Sequence, residues 1–490
     1  MKSQKKNLGV FFQKINSIVK GKNTSFLFYN LVSSFGNILI IILLSRFLDK
    51  NTYGLYRQVF FISELLVPFI SFGLANTVFY FFGVERDKRK TLINSISIVA
   101  LFGIPFIIIA IVINKLNLIY FEEAKELISY LWLTISFVLI QTTIRLCIAY
   151  FVYVKKIKPI LRITIFQFLG LLILNYLVLM GFNSLLYLIL VRVLIYAIVI
   201  ILLLRILKLK LNAINKKTIA SQIRYSTPYA LALLVGILST HLDKIIVLNN
   251  FTTEDFANYI NGAFEIPVII IITSTLSGLT IGKLNEFCST KRYQNAINLF
   301  KNSMEISACF LFPVFCFSIV FSEQIMIFLF GIQYADAAVI FSIYLLLLPI
   351  RIIIFSDILI ALGHSKIFLF RSLIELLVNF SLSIILLKFL GVKGVAIATV
   401  LSVLLWTVPF NFSTIQKTTK IKSVIPLIPL FKILLLSFTL SIFAYYIFGL
   451  LLNHFNLYLL IVLVTLIYFL IYFAVGVKLK VVKLNKFLEL

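Results

Sequence analysis

Residues 227–267, TPYALALLVGILSTHLDKIIVLNNFTTEDFANYINGAFEIP, decide how the chain is read. The stretch begins with about 20 mainly apolar residues, breaks at an acidic polar segment and then resumes an apolar run. At ~1.5 Å of rise per residue, roughly 20 residues cover the ~30 Å hydrocarbon core of a bilayer. His241, Asp243 and Lys244 lie within the first run, and Glu265 lies just inside the second. Ionisable side chains within membrane spans are costly, which makes them functional candidates by default. The stretch also divides the chain into halves of similar plan, so two halves enclosing a polar path are expected.

Composition supports that reading. Of 490 residues, 61% are hydrophobic and 13% charged, with a mean hydropathy of +1.08. A soluble domain is nearer one half apolar and one quarter charged, and no stretch here has room for a sizeable soluble core. The net charge of +27 does not indicate nucleic acid, because Lys and Arg cluster in alternate short loops between apolar spans. That pattern orients membrane proteins and meets anionic lipid head groups. Cys147, Cys288, Cys309 and Cys316 show no CxxC spacing, so neither a disulfide framework nor a zinc site is expected. The first apolar run, 26–48, is too long for a signal-peptide core and reads as a retained span.

In order along the chain, residues 5–20 place Leu8, Phe11, Phe12, Ile15, Ile18 and Val19 at helical spacing, as a surface-lying amphipathic helix would. Fourteen spans are expected near 26–48, 54–82, 92–113, 127–153, 160–180, 185–206, 227–249, 257–282, 299–321, 337–362, 367–389, 392–415, 429–450 and 456–476. With the N-terminus in the cytoplasm, inner segments hold 34 of the 45 Lys and Arg residues and outer loops hold seven. Both termini are therefore expected inside, in a bacterial inner membrane. The outer loops are short and several are acidic, with Glu122, Glu123, Glu126, Glu254, Asp255, Glu323 and Asp336. No external catalytic domain fits there.

An internal echo runs through the chain. SRFLDKNTYGLY at 45–56 matches VLNNFTTEDFANY at 247–259, Lys158 matches Lys366, and Gly181 matches Gly391. Six spans per half is an even number, so both halves enter the membrane from one side. The expected fold is an all-α polytopic membrane protein of about fourteen helices. Two six-helix lobes are related by a pseudo-two-fold along the membrane normal, with two C-terminal helices appended. The divisions are 1–25, an amphipathic N-terminal segment; 26–206, the N-lobe; 207–226, a basic linker; 227–415, the C-lobe; 416–476, the last two spans; and 477–490, a basic tail.

The same segments carry a family resemblance. SRFLDKNTYGLY resembles the short outer turn after the first span of Wzx-type oligosaccharide flippases, members of the multidrug/oligosaccharidyl-lipid/polysaccharide exporter superfamily. STHLDKIIVLNNFTTEDFANY is similar to that family's seventh span and following turn, with Asp243 at the place of a recurrent Asp. LFGIQYADAAVIFSIYLLLLP resembles its ninth-to-tenth region, and FLGVKGVAIATVLS its turn into the twelfth span. The second turn departs from the pattern by carrying Ala257 at the Gly position. The resemblance implies two lobes around a central cavity that move a lipid-linked oligosaccharide to the outer leaflet for cell-surface polysaccharide biosynthesis. Glycosyltransferases and a polymerase would be its working partners. The alternative within the superfamily is a drug/cation antiporter.

Against that background, Arg145, Arg351, Arg192 and Lys244 are the four cations inside spans. They are the expected substrate-binding residues, because guanidinium forks suit the oxygens of a pyrophosphate. The structural alternative is pairing with a carboxylate on another helix. Asp243, Glu265, Glu64 and His241 are the expected ion-coupling residues, for H⁺ or Na⁺. Asp243 could equally act as a lock to another helix, and helical geometry turns it about 100° from Lys244. Arg57 and Glu64 share a helix face, and Arg371 and Glu375 form an i,i+4 pair. No GxxxxGK[ST] sequence occurs, so no ATP site is expected. No nucleophile–base motif stands on an outer loop, so an enzyme is not expected, and no cofactor or metal is implied.

Overall fold

The computed structural model describes residues 24–116, 127–182, 184–209, 214–364 and 367–482. The amphipathic segment expected at 5–20, the acids Glu122, Glu123 and Glu126, and the end of the basic tail lie outside the described residues. Regular structure among the described residues is helical. The helices of the first half are α1 Thr24–Phe47, α2 Lys50–Ser71, α3 Leu74–Val84, α4 Lys88–Leu116, α5 Leu131–Tyr153, α6 Ile157–Gly181 and α7 Leu185–Leu207. They are followed by α8 Lys216–Asn250, α9 Thr253–Gly262, α10 Pro267–Ser289, α11 Tyr293–Val320, α12 Ser322–Phe330 and α13 Ala337–Leu345. The last are α14 Leu348–Arg351, α15 Phe355–Ala361, α16 Ile367–Ser402, α17 Val408–Thr419, α18 Leu427–Leu451 and α19 Leu457–Lys478.

Among the described residues, 12 helical stretches are long and apolar enough to cross a membrane. Two features account for the distance from fourteen. Phe370–Thr419 counts once at 50 residues, yet at ~1.5 Å per residue it would reach about 75 Å, over twice the hydrocarbon core. Gly391 breaks it with φ 58 and ψ −139, at the expected turn between the eleventh and twelfth spans. Helix α1, 24 residues long, is counted only from Phe35, because most side chains before it lie outside the described residues.

The chain forms two compact units. Among the described residues one gathers 24–241 and Thr252–Ala257, and the other gathers Leu242–Phe251 and 258–482. In the first unit α5 is the central helix, packed against α2, α3, α4 and α7, while α1 lies along α6. Helix α2 starts at Asp49, whose carboxylate accepts from the Thr52 backbone N–H at 2.9 Å, satisfying one of the orphan donors of the first turn. Gly54 follows because a Cβ there would stand 2.5 Å from the Thr253 carbonyl oxygen. The two echoed turns thus meet at the one position where the first of them carries glycine.

The expected linker, 207–226, is partly helical. From Lys216 it is the first part of the 35-residue helix α8. Polar contacts tie that part, and Asn215 just before it, to α3 and α4. Ser95 donates to Gln222 at 3.1 Å, the Thr77 and Ser226 hydroxyls meet at 2.7 Å, and the Asn215 N–H donates to Asn94 at 2.8 Å.

In the second unit α11 is the most enclosed of the candidate spans, packed by α10 and α18. Pro313 inside α11 has no N–H to offer the carbonyl of Cys309. Tyr472 of α19 supplies the missing donor, its hydroxyl reaching Cys309 O at 3.0 Å. Tyr468 donates to Pro313 O at 3.2 Å. Phe317, Phe321, Phe448 and Val464 form one apolar cluster with Tyr468, so α18 and α19 are built into the unit's core.

Two expected continuous spans are interrupted. The eighth, expected over 257–282, stops at Gly262 and restarts with Pro267 at the first position of α10. Proline suits that position because its missing N–H would have no intrahelical partner. The tenth, expected over 337–362, is broken into α13, α14 and α15, with Pro349 in the middle piece.

Candidate functional site

In the first unit, α5 carries Gln141, Ile144, Arg145 and Ile148 at helical spacing, which places them on one face. Opposite stand Ser33, Gly36, Asn37 and Ile40 of α1, then Thr164, Gln167, Phe168 and Leu171 of α6, and Tyr196 of α7. Together they enclose a cavity of about 170 Å³. A Cβ on Gly36 would come within 2.8 Å of the Phe168 ring, so the glycine lets that ring form part of the wall. Asn37 donates to the Ser33 carbonyl at 3.0 Å. The Gln141 and Gln167 amides have no hydrogen-bond partner among the described residues.

A second cavity, of about 380 Å³, adjoins the first and shares Tyr29, Arg145 and Ile148 with it. Its other walls come from Val67, Pro68 and Ser71 of α2, Asn76 and Phe79 of α3, and Leu233 and Ile237 of α8. Neither cavity has an Asp or Glu in its described walls. Arg145 stands where the two meet, its side chain exposed and with no carboxylate partner among the described residues. A guanidinium so placed can turn its five donors toward an anion.

Arg192, also in this unit, is arranged differently. Its Nη1 donates to the Tyr56 hydroxyl at 2.9 Å, and its guanidinium lies 4.2 Å from the Phe60 ring centroid and 5.4 Å from that of Phe137. The aromatic faces stabilise the cation by roughly 2 kcal/mol when desolvated. Such a setting holds α2, α5 and α7 together. Of the expected coupling residues here, Glu64 is exposed on α2, and His241 packs edge-on to Phe61 with centroids 5.6 Å apart. Arg57 donates to Tyr53 at 2.8 Å.

In the second unit the expected residues come together in pairs. Asp243 is buried, and its Oδ2 accepts from Tyr259 at 3.0 Å and from Tyr344. Lys244 Nζ lies 3.5 Å from the same oxygen. The 100° separation expected from helical geometry is overcome because the four-carbon lysine stem folds back to its neighbour. Glu265 sits in the gap between α9 and α10 rather than inside a span, and receives Arg351 Nη2 at 2.5 Å. Arg351 ends the short helix α14, so it lies at a break rather than deep in a continuous helix. The space beside this pair is about 30 Å³, bordered by Phe264, Tyr344 and Leu348, and holds roughly one water. Asp357 is buried with Oδ1 accepting from Ser277 at 2.9 Å, while its Oδ2 has no partner among the described residues.

Sequence reasoning did not single out Thr164, Gln167, Gln141, Tyr259 or Tyr344. Neutral amides and hydroxyls do not register in a pattern of charge. Polar residues spaced three and four apart within an apolar span would have found Gln141 beside Arg145 and Thr164 beside Gln167. Among the described residues no group of three or more His, Cys, Asp or Glu could hold a metal ion. All four cysteines are buried and none forms a disulfide.

The sequence model of a family described as "Polysaccharide biosynthesis protein" matches residues 21–280. No curated protein matches the chain. Among solved structures, the lipid II flippase MurJ in an inward closed conformation is similar with a TM-score of 0.68 at 16% identity, covering 93% of this chain and 98% of that one. An inward-facing multidrug resistance MATE family transporter of the MOP superfamily gives 0.62 at 13% identity, over 80% of this chain and 96% of its own. A MOP superfamily transporter from Pyrococcus furiosus gives 0.55 at 14% identity, over 81% and 95%. At these identities the likeness is one of fold: an all-helical, multi-pass membrane protein of the MurJ and MATE type.

Proposed function

The chain belongs to the polysaccharide biosynthesis protein family, and on that premise we propose that it is a flippase for a polyprenyl-diphosphate-linked oligosaccharide. The observation that carries the proposal is Arg145, an exposed cation without a carboxylate, at the junction of two cavities whose described walls hold no acid. The diphosphate and sugar enter from the cytoplasmic leaflet while the polyprenyl tail stays in lipid. Arg145 takes the diphosphate, replacing part of its hydration with charge-assisted hydrogen bonds. Alternating access by two six-helix lobes then exposes the head group at the outer leaflet, with both termini in the cytoplasm. Two negative charges leaving an inside-negative cell gain about 4–5 kcal/mol per 100 mV, so the membrane potential drives export. The cell membrane is the bacterial inner membrane, and the flippase works with glycosyltransferases that build the substrate and a polymerase that extends it.

A drug/cation antiporter would need anionic groups in its cavity to attract a cation. The absence of acids from the described walls around Arg145 favours the anionic substrate. The test is surface polysaccharide in cells carrying Arg145→Ala or Arg145→Lys at normal protein level. Ala is expected to abolish export and Lys to retain part of it, since charge survives while the fork is lost. Normal export by the Ala variant overturns the reading.

A further inference from the structure

The cavity of about 170 Å³ has a wall that a diphosphate does not need. Gln141 stands one helical turn from Arg145 on α5. Thr164 and Gln167 face it from α6, and Ser33 and Asn37 face it from α1. The side chains of Ser33, Gln141, Thr164 and Gln167 have no hydrogen-bond partner among the described residues. Inside a membrane protein, polar groups left without partners are costly, and each amide or hydroxyl here has to be met by water or by a ligand.

The chemistry of the wall narrows the ligand. Amides and hydroxyls both donate and accept, which suits a molecule dense in hydroxyls and acetamido groups and gives nothing to a bare hydrocarbon. The Phe168 ring, brought in by Gly36, adds an apolar face of the kind that packs on the C–H side of a sugar ring. With ~30 Å³ per liquid water, the cavity holds roughly five or six waters, on the order of one sugar residue. No charge other than Arg145 lines it.

We infer that this cavity is a subsite for the sugar directly attached to the diphosphate, and that it selects an uncharged sugar bearing hydroxyl or acetamido groups. The inference rests on the reading of Arg145 as the diphosphate contact, which stands at the cavity's rim. The sugar then binds between α1, α5 and α6, exchanging bound water for Gln141, Gln167 and Thr164. A uronic acid in that position would place its carboxylate among neutral groups and bind more weakly than its uncharged counterpart.

The test uses the purified full chain in nanodiscs and two probes, a bare polyprenyl diphosphate and the same lipid bearing one N-acetylhexosamine. Wild-type protein is expected to bind the sugar-bearing lipid about tenfold more tightly, as one or two neutral hydrogen bonds supply. Gln167→Leu and Gln141→Leu should erase that preference and leave affinity for the bare lipid unchanged. Arg145→Ala should weaken both probes by a similar factor. Equal affinity of wild-type protein for the two probes overturns the sugar subsite while leaving Arg145 as the diphosphate contact. A preference that survives both Leu substitutions also overturns it. Unchanged binding of both probes by Arg145→Ala overturns the reading beneath it. Should a Leu variant fold poorly, Gln167→Glu replaces it, with loss of the preference again expected and its retention counting against the subsite.

Discussion

Arg145 and Arg351 are the same residue type, singled out by the same reasoning, and they stand in opposite circumstances. Arg145 lies on an uninterrupted helix between two cavities with no acid in their described walls. Arg351 ends a four-residue helix at a break and is held by Glu265 at 2.5 Å, beside about 30 Å³ of space. The first retains its donors for a ligand, and the second has spent one on its own protein. The lesson is that a cation inside a span indicates a site only when the surrounding helices leave it space and no counter-charge. Lys244 falls with Arg351, paired to Asp243, and Arg192 is engaged by aromatic faces instead.

Removing the paired charges of the second unit should cost stability. Asp243→Ala is expected to have the largest effect, because it removes the carboxylate from Lys244 and from the interior hydroxyls of Tyr259 and Tyr344, which keep each other as partners. Breaking one side of a buried pair costs about 3–5 kcal/mol, which should lower the thermal unfolding midpoint of the purified protein by several degrees. An Ala variant of unchanged midpoint that fails to transport would make Asp243 a coupling group. In the first unit, Arg192→Met should cost roughly 2 kcal/mol, from the lost cation–π contacts and the Tyr56 bond. Arg192→Lys should recover part of that, and a variant of full stability would show that the aromatic setting does not anchor the helix.

The Arg351–Glu265 pair is partly exposed, with side chains 38% and 53% accessible, and such pairs contribute about 0–1 kcal/mol. Glu265→Ala and Arg351→Ala should each lower stability slightly, with the charge-swapped double variant recovering it. Loss of transport in Glu265→Ala that the swap does not rescue would separate Glu265 from the lock and assign it to coupling. An effect of comparable size is expected at Asp49, where replacement by Ala should remove about 1 kcal/mol from the start of α2. Partial burial alone would raise this carboxyl's pKa, but the donations from Thr52 together with the backbone N–H groups of Asp49 and Asn51 outweigh it and the value is lowered. The cap's contribution is therefore complete above the ordinary carboxyl range and is lost as pH falls through the lowered value. A stability difference between wild type and Asp49→Ala that does not shrink in acid would contradict the cap.

Much of this contrast could not be seen in the sequence. The spans themselves were legible, because apolar runs and alternating basic loops are properties of consecutive residues. The Phe370–Thr419 stretch could be divided in advance at Gly391, whose φ of 58 suits glycine. The break at Glu265 was signalled by Gly262 and Pro267 on either side, but the apolar run across 257–282 outweighed them. Partnership was not legible at all. Whether Arg351 meets Glu265, 86 residues away in sequence, depends on how helices are interrupted and packed. The lysine at 244 reached Asp243 against the direction of the helix face because its stem is long and flexible. The cavity at Arg145 escaped notice for a chemical reason. Gln141, Thr164 and Gln167 are neutral, and their importance comes only from converging without partners.

Transport in proteoliposomes by Arg145→Ala and Arg351→Ala, side by side, tests the contrast most directly. The substrate is a polyprenyl diphosphate bearing an N-acetylhexosamine, and rates are normalised to folded protein. Arg145→Ala should lose at least a hundredfold in rate with an unfolding midpoint close to wild type, whereas Arg351→Ala should keep most of its rate with a slightly lowered midpoint. Equal losses in the two variants, or a fully active Arg145→Ala, would contradict the account.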